Sequence, residues 1–123
     1  MPVSWRIMNG LVYLESDEAA TFEEWRGAVE GAIADPAFQP GMGIIHDWRK
    51  HRTLLPSAEV LKRSEYLARN AARFGRTRWA LLVDTRAGYG MGRMAETLTG
   101  SGAALRVFRD AVEAEAWAHG GGE

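Results

Sequence analysis

Short, largely apolar runs alternate with amphipathic stretches of helical period along this chain, and that rhythm is the strongest constraint on its fold. Gly43 to Trp48 and Trp79 to Val83 have the length of strands, and each leads into a stretch whose apolar residues recur every three or four positions. A strand that feeds a helix, repeated, is how a mostly parallel α/β sheet is written. The closing segment from Arg106 to Trp117 repeats it once more.

The chain opens differently. Val3 to Met8 and Leu11 to Glu15 flank Asn9-Gly10, a pair suited to the positive φ angles of a two-residue hairpin, so the first two strands are expected to be antiparallel. Thr21 and Glu24 form a capping-box pattern ahead of Phe22, Trp25, Ala28, Val29, Ala32 and Ile33, which predicts a helix from about Phe22 to Ala34. Asp35-Pro36 stops it, and Pro40-Gly41 turns the chain into the strand Gly43 to Trp48. After a polar loop, Ser57 is expected to N-cap a second helix with Val60, Leu61, Ser64, Leu67, Ala68, Ala71 and Phe74 inward and Gly75 at its end. Arg78 to Asp84 reads as a strand covered on both faces and is expected at the sheet centre. A turn from Thr85 to Gly88 precedes a third helix, with Met91, Met94, Ala95 and Leu98 inward, that ends near Gly100-Ser101-Gly102. Ala104 to Phe108 is the last strand, and Asp110 caps a terminal helix. The expectation is one mixed, mostly parallel α/β sheet of about five strands with about four helices, a single domain over residues 1–119, and a flexible tail at 120–123.

A length of 123 residues suits one domain that buries roughly two-thirds of its unfolded surface. With no cysteine, disulfides, thiolate metal sites and cysteine nucleophiles are excluded. The start resembles no signal peptide and no stretch has the apolar length of a membrane span, so a soluble cytoplasmic protein is expected. Charge is segregated: residues 1–48 hold two basic and eight acidic side chains, residues 49–93 eleven and three, and residues 94–123 two and five. A basic block can attract phosphates or an acidic partner, but it equally describes a solvated face flanked by acidic neighbours. The pI of about 6.3 lacks the basic excess of a nucleic-acid domain, and no nucleic-acid partner is expected.

Ligands of open α/β sheets bind beyond the carboxyl ends of the parallel strands. Those ends offer His46, Asp47 and Arg49, then Asp84 and Arg86, then Arg109 and Asp110, where arginines near helix N-termini could hold a phosphate or carboxylate. The alternative is that the aspartates cap turns and pair with the arginines. His46-Asp47 could in principle act as acid and base. Gly88-Tyr89-Gly90-Met91-Gly92 has neither dinucleotide nor P-loop spacing and points to a tight turn and close helix approach, so no cofactor is expected. His46, His51 and His119 lack zinc-site spacing, so no metal is expected either. No glycine-flanked serine elbow is present, and no catalytic residue is assigned. Trp25, Trp79 and Trp117 fall on inward stripes. Trp5 and Trp48 are freer to serve an interface or ligand, and Trp5 on the hairpin suits a homodimer through the sheet edge.

Several pieces together resemble the SpoIIAA-like family of small bacterial domains, related in fold to STAS domains and in some members of a STAS/SEC14 type. They are Asp35-Pro36-Ala37-Phe38 with Pro40-Gly41, Asp47 with Arg49, Tyr89-Gly90-Met91 with Arg93-Met94, and Val107-Phe108-Arg109-Asp110 with Ala116-Trp117. The resemblance implies a mixed sheet wound as a βα superhelix and a non-enzymatic regulatory or protein-interaction domain. A different role is a binding module for a small anionic or lipid-like ligand at the strand ends. STAS antagonists of anti-sigma factors carry a phosphorylatable serine after the third strand. Ser57 stands at that position, without the motif's aspartate and glycine, and is the candidate phosphosite.

Overall fold

The computed structural model describes residues 3–17, 20–50, 55–75, 77–99 and 104–120. Five strands, β1 (Val3–Met8), β2 (Leu11–Ser16), β3 (Gly43–Asp47), β4 (Arg78–Leu82) and β5 (Ala104–Phe108), form one sheet whose spatial order follows the chain. The helices are α1 (Phe22–Ala34), α2 (Ser57–Arg69), α3 (Ala71–Phe74), α4 (Arg86–Thr99) and α5 (Ala111–Ala118). β1 and β2 are antiparallel, with Asn9 at φ 55° and Gly10 at φ 75° in the turn between them, as the hairpin pair predicts. β2, β3, β4 and β5 are parallel neighbours. β4 is interior, but β3 occupies the middle of the sheet, which corrects the expected position of β4 by one place.

Because each crossover advances one strand, three crossovers of one hand carry α1, α2 and α4 to the same face of the sheet. Strand alternation sorts the core accordingly. Val12, Leu14, Ile44 and Trp79 meet Trp25, Val29 and Leu67 of α1 and α2, while Leu81, Val83 and Val107 meet Val60, Met91 and Ala95 of α2 and α4. On the other face, Leu11, Ile45, Ala80, Leu82 and Phe108 pack under Ala114 and Ala118 of α5.

Local chemistry fixes the helix ends. The Thr21 hydroxyl accepts from the Glu24 N–H (3.0 Å) while the Glu24 carboxylate accepts from the Thr21 N–H (2.8 Å), completing the capping box. Asp110 caps α5 by accepting from the Glu113 N–H at 3.0 Å. The expected second helix is two, so the described residues hold five helices: Asn70, at φ −110° and ψ 15°, leaves helical geometry and sends its side-chain amide to the Tyr66 carbonyl at 2.8 Å. α4 starts at Arg86, not after a turn through Gly88, because the Thr85 hydroxyl accepts from the Gly88 N–H at 2.9 Å. Gly92 serves close approach, since a Cβ on it would lie 2.4 Å from Val107 Cγ2, whereas a Cβ on Gly90 would meet open space. Leu98, expected inward, is exposed, and Thr99 is the buried residue of that turn. The expected helix end at Gly100-Ser101-Gly102, His51, and residues 121–123 of the expected tail lie outside the described residues.

Candidate functional site

The strand-end residues named from the sequence are split: Asp47 and Asp84 both act on Arg49, and His46 stands apart from them. Consecutive residues of a strand point to opposite faces, so His46 and Asp47 are separated by the sheet and form no acid–base pair. His46 is 2 % exposed on the helix-covered face, shares a 3.0 Å hydrogen bond with Ser16 Oγ, and meets Trp48 edge to face at 5.3 Å. Asp47 on the other face is taken by Arg49: Arg49 Nε and Nη2 donate to its two oxygens at 3.0 and 2.8 Å, and the Arg49 N–H donates at 2.9 Å. Burial pushes the Asp47 carboxyl up, but the hydrogen bonds from Arg49 outweigh it and hold the group below its ordinary value. Asp84, Arg86 and Arg109 are exposed.

Ser57 is not a cap. It is the first residue of α2, exposed, and Pro56 holds the N-cap position, with its carbonyl accepting from Glu59 and Val60 N–H groups. Proline at this place brings the chain in extended and leaves the serine hydroxyl outside the cap geometry.

The feature that the structure adds is a cavity of about 40 Å³ between the helix-covered face of β3 and β4 and the helices α2 and α4. Trp25, Trp48, Leu67, Trp79, Leu81 and Met91 supply apolar wall, and His46, Arg63 and Ser64 supply polar atoms. Trp48, expected to be free, is buried here, because the chain continues β3's alternation for one residue beyond the strand and hydrogen-bonds Trp48 N–H to the Leu82 carbonyl at 2.8 Å. Leu55 lines both the cavity and an open groove of about 420 Å³ outside it, formed with Thr21, Phe22, Glu59 and Lys62.

Arg63 is the unusual member. It is 5 % exposed and its guanidinium lies 5.5 Å from the Trp25 ring centroid. Nη2 donates to the Ala20 carbonyl at 3.3 Å, whereas Nε and Nη1 have no acceptor among the described residues. Burial pushes the guanidinium below its ordinary pKa, with only Glu59 opposing the shift. The sequence assignment missed it by choosing Leu61, which is 41 % exposed, for the inward face. On a helical wheel, position 63 lies nearer than position 61 to the arc of Val60, Ser64 and Leu67.

Part of the basic middle block is neutralised by its acidic flanks. Arg73 grips Glu30 at 2.6 and 2.8 Å, Lys50 meets Glu15 at 3.3 Å, and Arg49 holds Asp47. Hydrogen bonds from Arg73 and then Tyr66, whose hydroxyl donates to Glu30 Oε2, lower the Glu30 carboxyl to about 2. Trp5 is half-buried, with its indole packed where Gly31 of α1 has no side chain, so it belongs to the hairpin's attachment. Trp117, expected inward, is half-buried, stacked 5.5 Å from Phe108 with the Arg78 and Arg106 guanidinium groups 5.4 and 5.6 Å from its ring. Among the described residues no group of three or more His, Cys, Asp or Glu side chains is placed to hold a metal ion, and no helix is long and apolar enough to cross a membrane.

No protein-family model matches this chain, and no curated protein matches it. Among solved structures it is similar to the crystal structure of an uncharacterised protein of the DUF3478 family, with a SpoIIAA-like fold, from Shewanella loihica PV-4. The match has a TM-score of 0.59 at 14 % identity and covers 94 % of this chain and 91 % of the other. One mixed sheet with a leading antiparallel hairpin, matched over nearly its whole length, gives this chain a SpoIIAA-like fold.

Proposed function

We propose that the protein is a binding module for a small ligand whose apolar body occupies the cavity beneath α2. The single observation that carries this is the cavity itself: an aromatic and aliphatic lining with a few polar atoms has the make-up of a small-molecule site, here a small one. On this reading the ligand lies on the helix-covered side of the strand ends and not among Asp47, Arg49, Asp84, Arg86 and Arg109. It is favoured over the regulatory, partner-binding role that the family resemblance put first, since Ser57 carries only the position of the phospho-switch and none of its flanking motif. A homodimer through the sheet edge has less support once Trp5 is committed to α1.

The test is a nuclear magnetic resonance titration of the protein with short-chain alcohols, with Ala95→Leu as the control that fills the cavity. Shifts confined to residues around Leu67, Leu81 and Met91, and lost in Ala95→Leu, support the reading. Shifts absent, or unaffected by filling the cavity, overturn it. Native mass spectrometry of protein from its source cell gives a second readout: a bound small molecule supports ligand binding, and a stoichiometric protein partner with an empty cavity restores the interaction-domain role.

A further inference from the structure

Resting on that reading, we infer that the cavity's ligand is a small organic monocarboxylate, its charged end held by the Arg63 guanidinium and its hydrocarbon end packed among Trp25, Leu67, Trp79 and Leu81. Arg63 lines the cavity, is almost wholly withdrawn from solvent, and has two nitrogens without an acceptor among the described residues. A buried ion is costly unless paired and hydrogen-bonded, and most buried polar groups have partners, so each exception calls for a reason. Glu59, the acid that acts on Arg63 from one turn earlier, is itself bound by Lys62 at 3.4 Å and does not form an ion pair with Arg63. Arg63 therefore lines the cavity with two donors that no described residue satisfies, and it is the one Lys, Arg, Asp or Glu among the lining residues.

Charge and size restrict the partner. Arg63 is the one lysine or arginine among the residues lining the cavity, which matches a single negative charge better than the double charge of a phosphate monoester. A carboxylate accepts hydrogen bonds from two guanidinium nitrogens at once. The apolar remainder of the lining favours a hydrocarbon body over an inorganic ion. About 40 Å³ has room for roughly three waters, the scale of a short chain. Leu55 lines both this interior and the outer groove.

Butyrate, 1-butanol and chloride are the probes, titrated against the wild-type protein and against Arg63→Gln and Arg63→Lys, each first shown to be folded by circular dichroism. Butyrate is expected to bind at least tenfold more tightly than 1-butanol, Arg63→Gln to lose that difference, and Arg63→Lys to keep part of it. 1-Butanol affinity is followed in the same three proteins, so that loss of the apolar site is told apart from loss of the carboxylate contact. If butyrate and 1-butanol bind the wild type equally, or Arg63→Gln leaves butyrate unaffected, the carboxylate assignment is overturned while the apolar cavity remains a ligand site. Chloride binding that depends on Arg63 and matches butyrate in affinity overturns the organic class. Failure of all three probes overturns this inference and the ligand-binding reading together.

Discussion

Replacing Arg63 by methionine should stabilise the ligand-free protein. The side chain is 5 % exposed, and the effective penalty for burying an unpaired ion is several kcal/mol. Two interactions offset it. The guanidinium above Trp25 contributes about 2 kcal/mol if fully desolvated, and the long 3.3 Å hydrogen bond to the Ala20 carbonyl falls at the low end, about 1.5 kcal/mol, for a charged donor. Methionine has a similar length and keeps the apolar packing against Trp25. A net gain of about 1–2 kcal/mol is expected, within the range seen when apolar residues replace buried ions. For a domain of this size that corresponds to about 4 °C per kcal/mol. Urea unfolding in a buffer free of carboxylates gives the measurement, with an unchanged m-value as the sign that only stability moved. Adding butyrate should raise the wild-type midpoint and leave the variant where it was. A loss of 1 kcal/mol or more in Arg63→Met would falsify the reasoning, because it would mean that the folded protein already compensates the charge.

Trp79→Ala should cost about 3–5 kcal/mol in the same assay, since the side chain is 1 % exposed at the centre of an aromatic cluster with Trp25 and Phe74. Gly92→Ala should cost about 1–3 kcal/mol by overpacking despite the better helix propensity of alanine, and a second change, Val107→Ala, should recover part of it in a double-mutant cycle. Ser57→Ala should change stability by less than about 0.5 kcal/mol, because the hydroxyl caps no helix; a loss near 1 kcal/mol would restore it as the cap. The Glu30 carboxyl is depressed from its ordinary 4.5 to about 2, so its contribution is fully present above pH 4.5 and disappears as pH falls towards 2. The stability difference between wild type and Glu30→Gln should therefore shrink through that window in acid titrations of the denaturation midpoint, from a small starting value because the pair is partly exposed.

The elements that were legible in the sequence are those whose signals are local. Asn9-Gly10, the Thr21–Glu24 box, Asp35-Pro36 and Asp110 each act within a few residues, and each does in the structure what its chemistry predicts. The parallel strands were legible because runs such as Ile44-Ile45 and Ala80-Leu81-Leu82 are buried on both faces. Failures arose where tertiary packing decides. Leu61 is the more apolar neighbour of Arg63, yet the angle of α2 on the sheet turns position 63 inward and position 61 to solvent. Asn70 interrupts a stripe that is periodic enough to read as one helix, by a side-chain bond that periodicity does not encode. Of the residues singled out in the sequence for a site, His46 and Trp48 line the cavity. The proximity of His46 and Asp47 in sequence concealed their separation by the pleat, and no composition count distinguishes an ion-paired arginine such as Arg49 from one with no ion-pair partner among the described residues, such as Arg63.

The strand order has a consequence for how the chain assembles. Each strand lies beside the one before it, so no strand has to be threaded between two that are already paired, and the sheet can grow by addition at one moving edge. Loop closures stay short when every new pairing spans only a single crossover helix, which keeps the entropic cost of each step low. The last element breaks that pattern: α5 reaches back across the sheet until the Ala118 carbonyl sits where a Cβ on Gly43 would be, 2.2 Å away. Arrival of α5 is thus the step that ties the end of the chain to its middle, and it covers Ile45, Ala80 and Leu82 only after the strands bearing them are in place. A nascent chain that had emerged only through Phe108 would have its sheet, its three crossover helices and the cavity, but one apolar face still open to solvent.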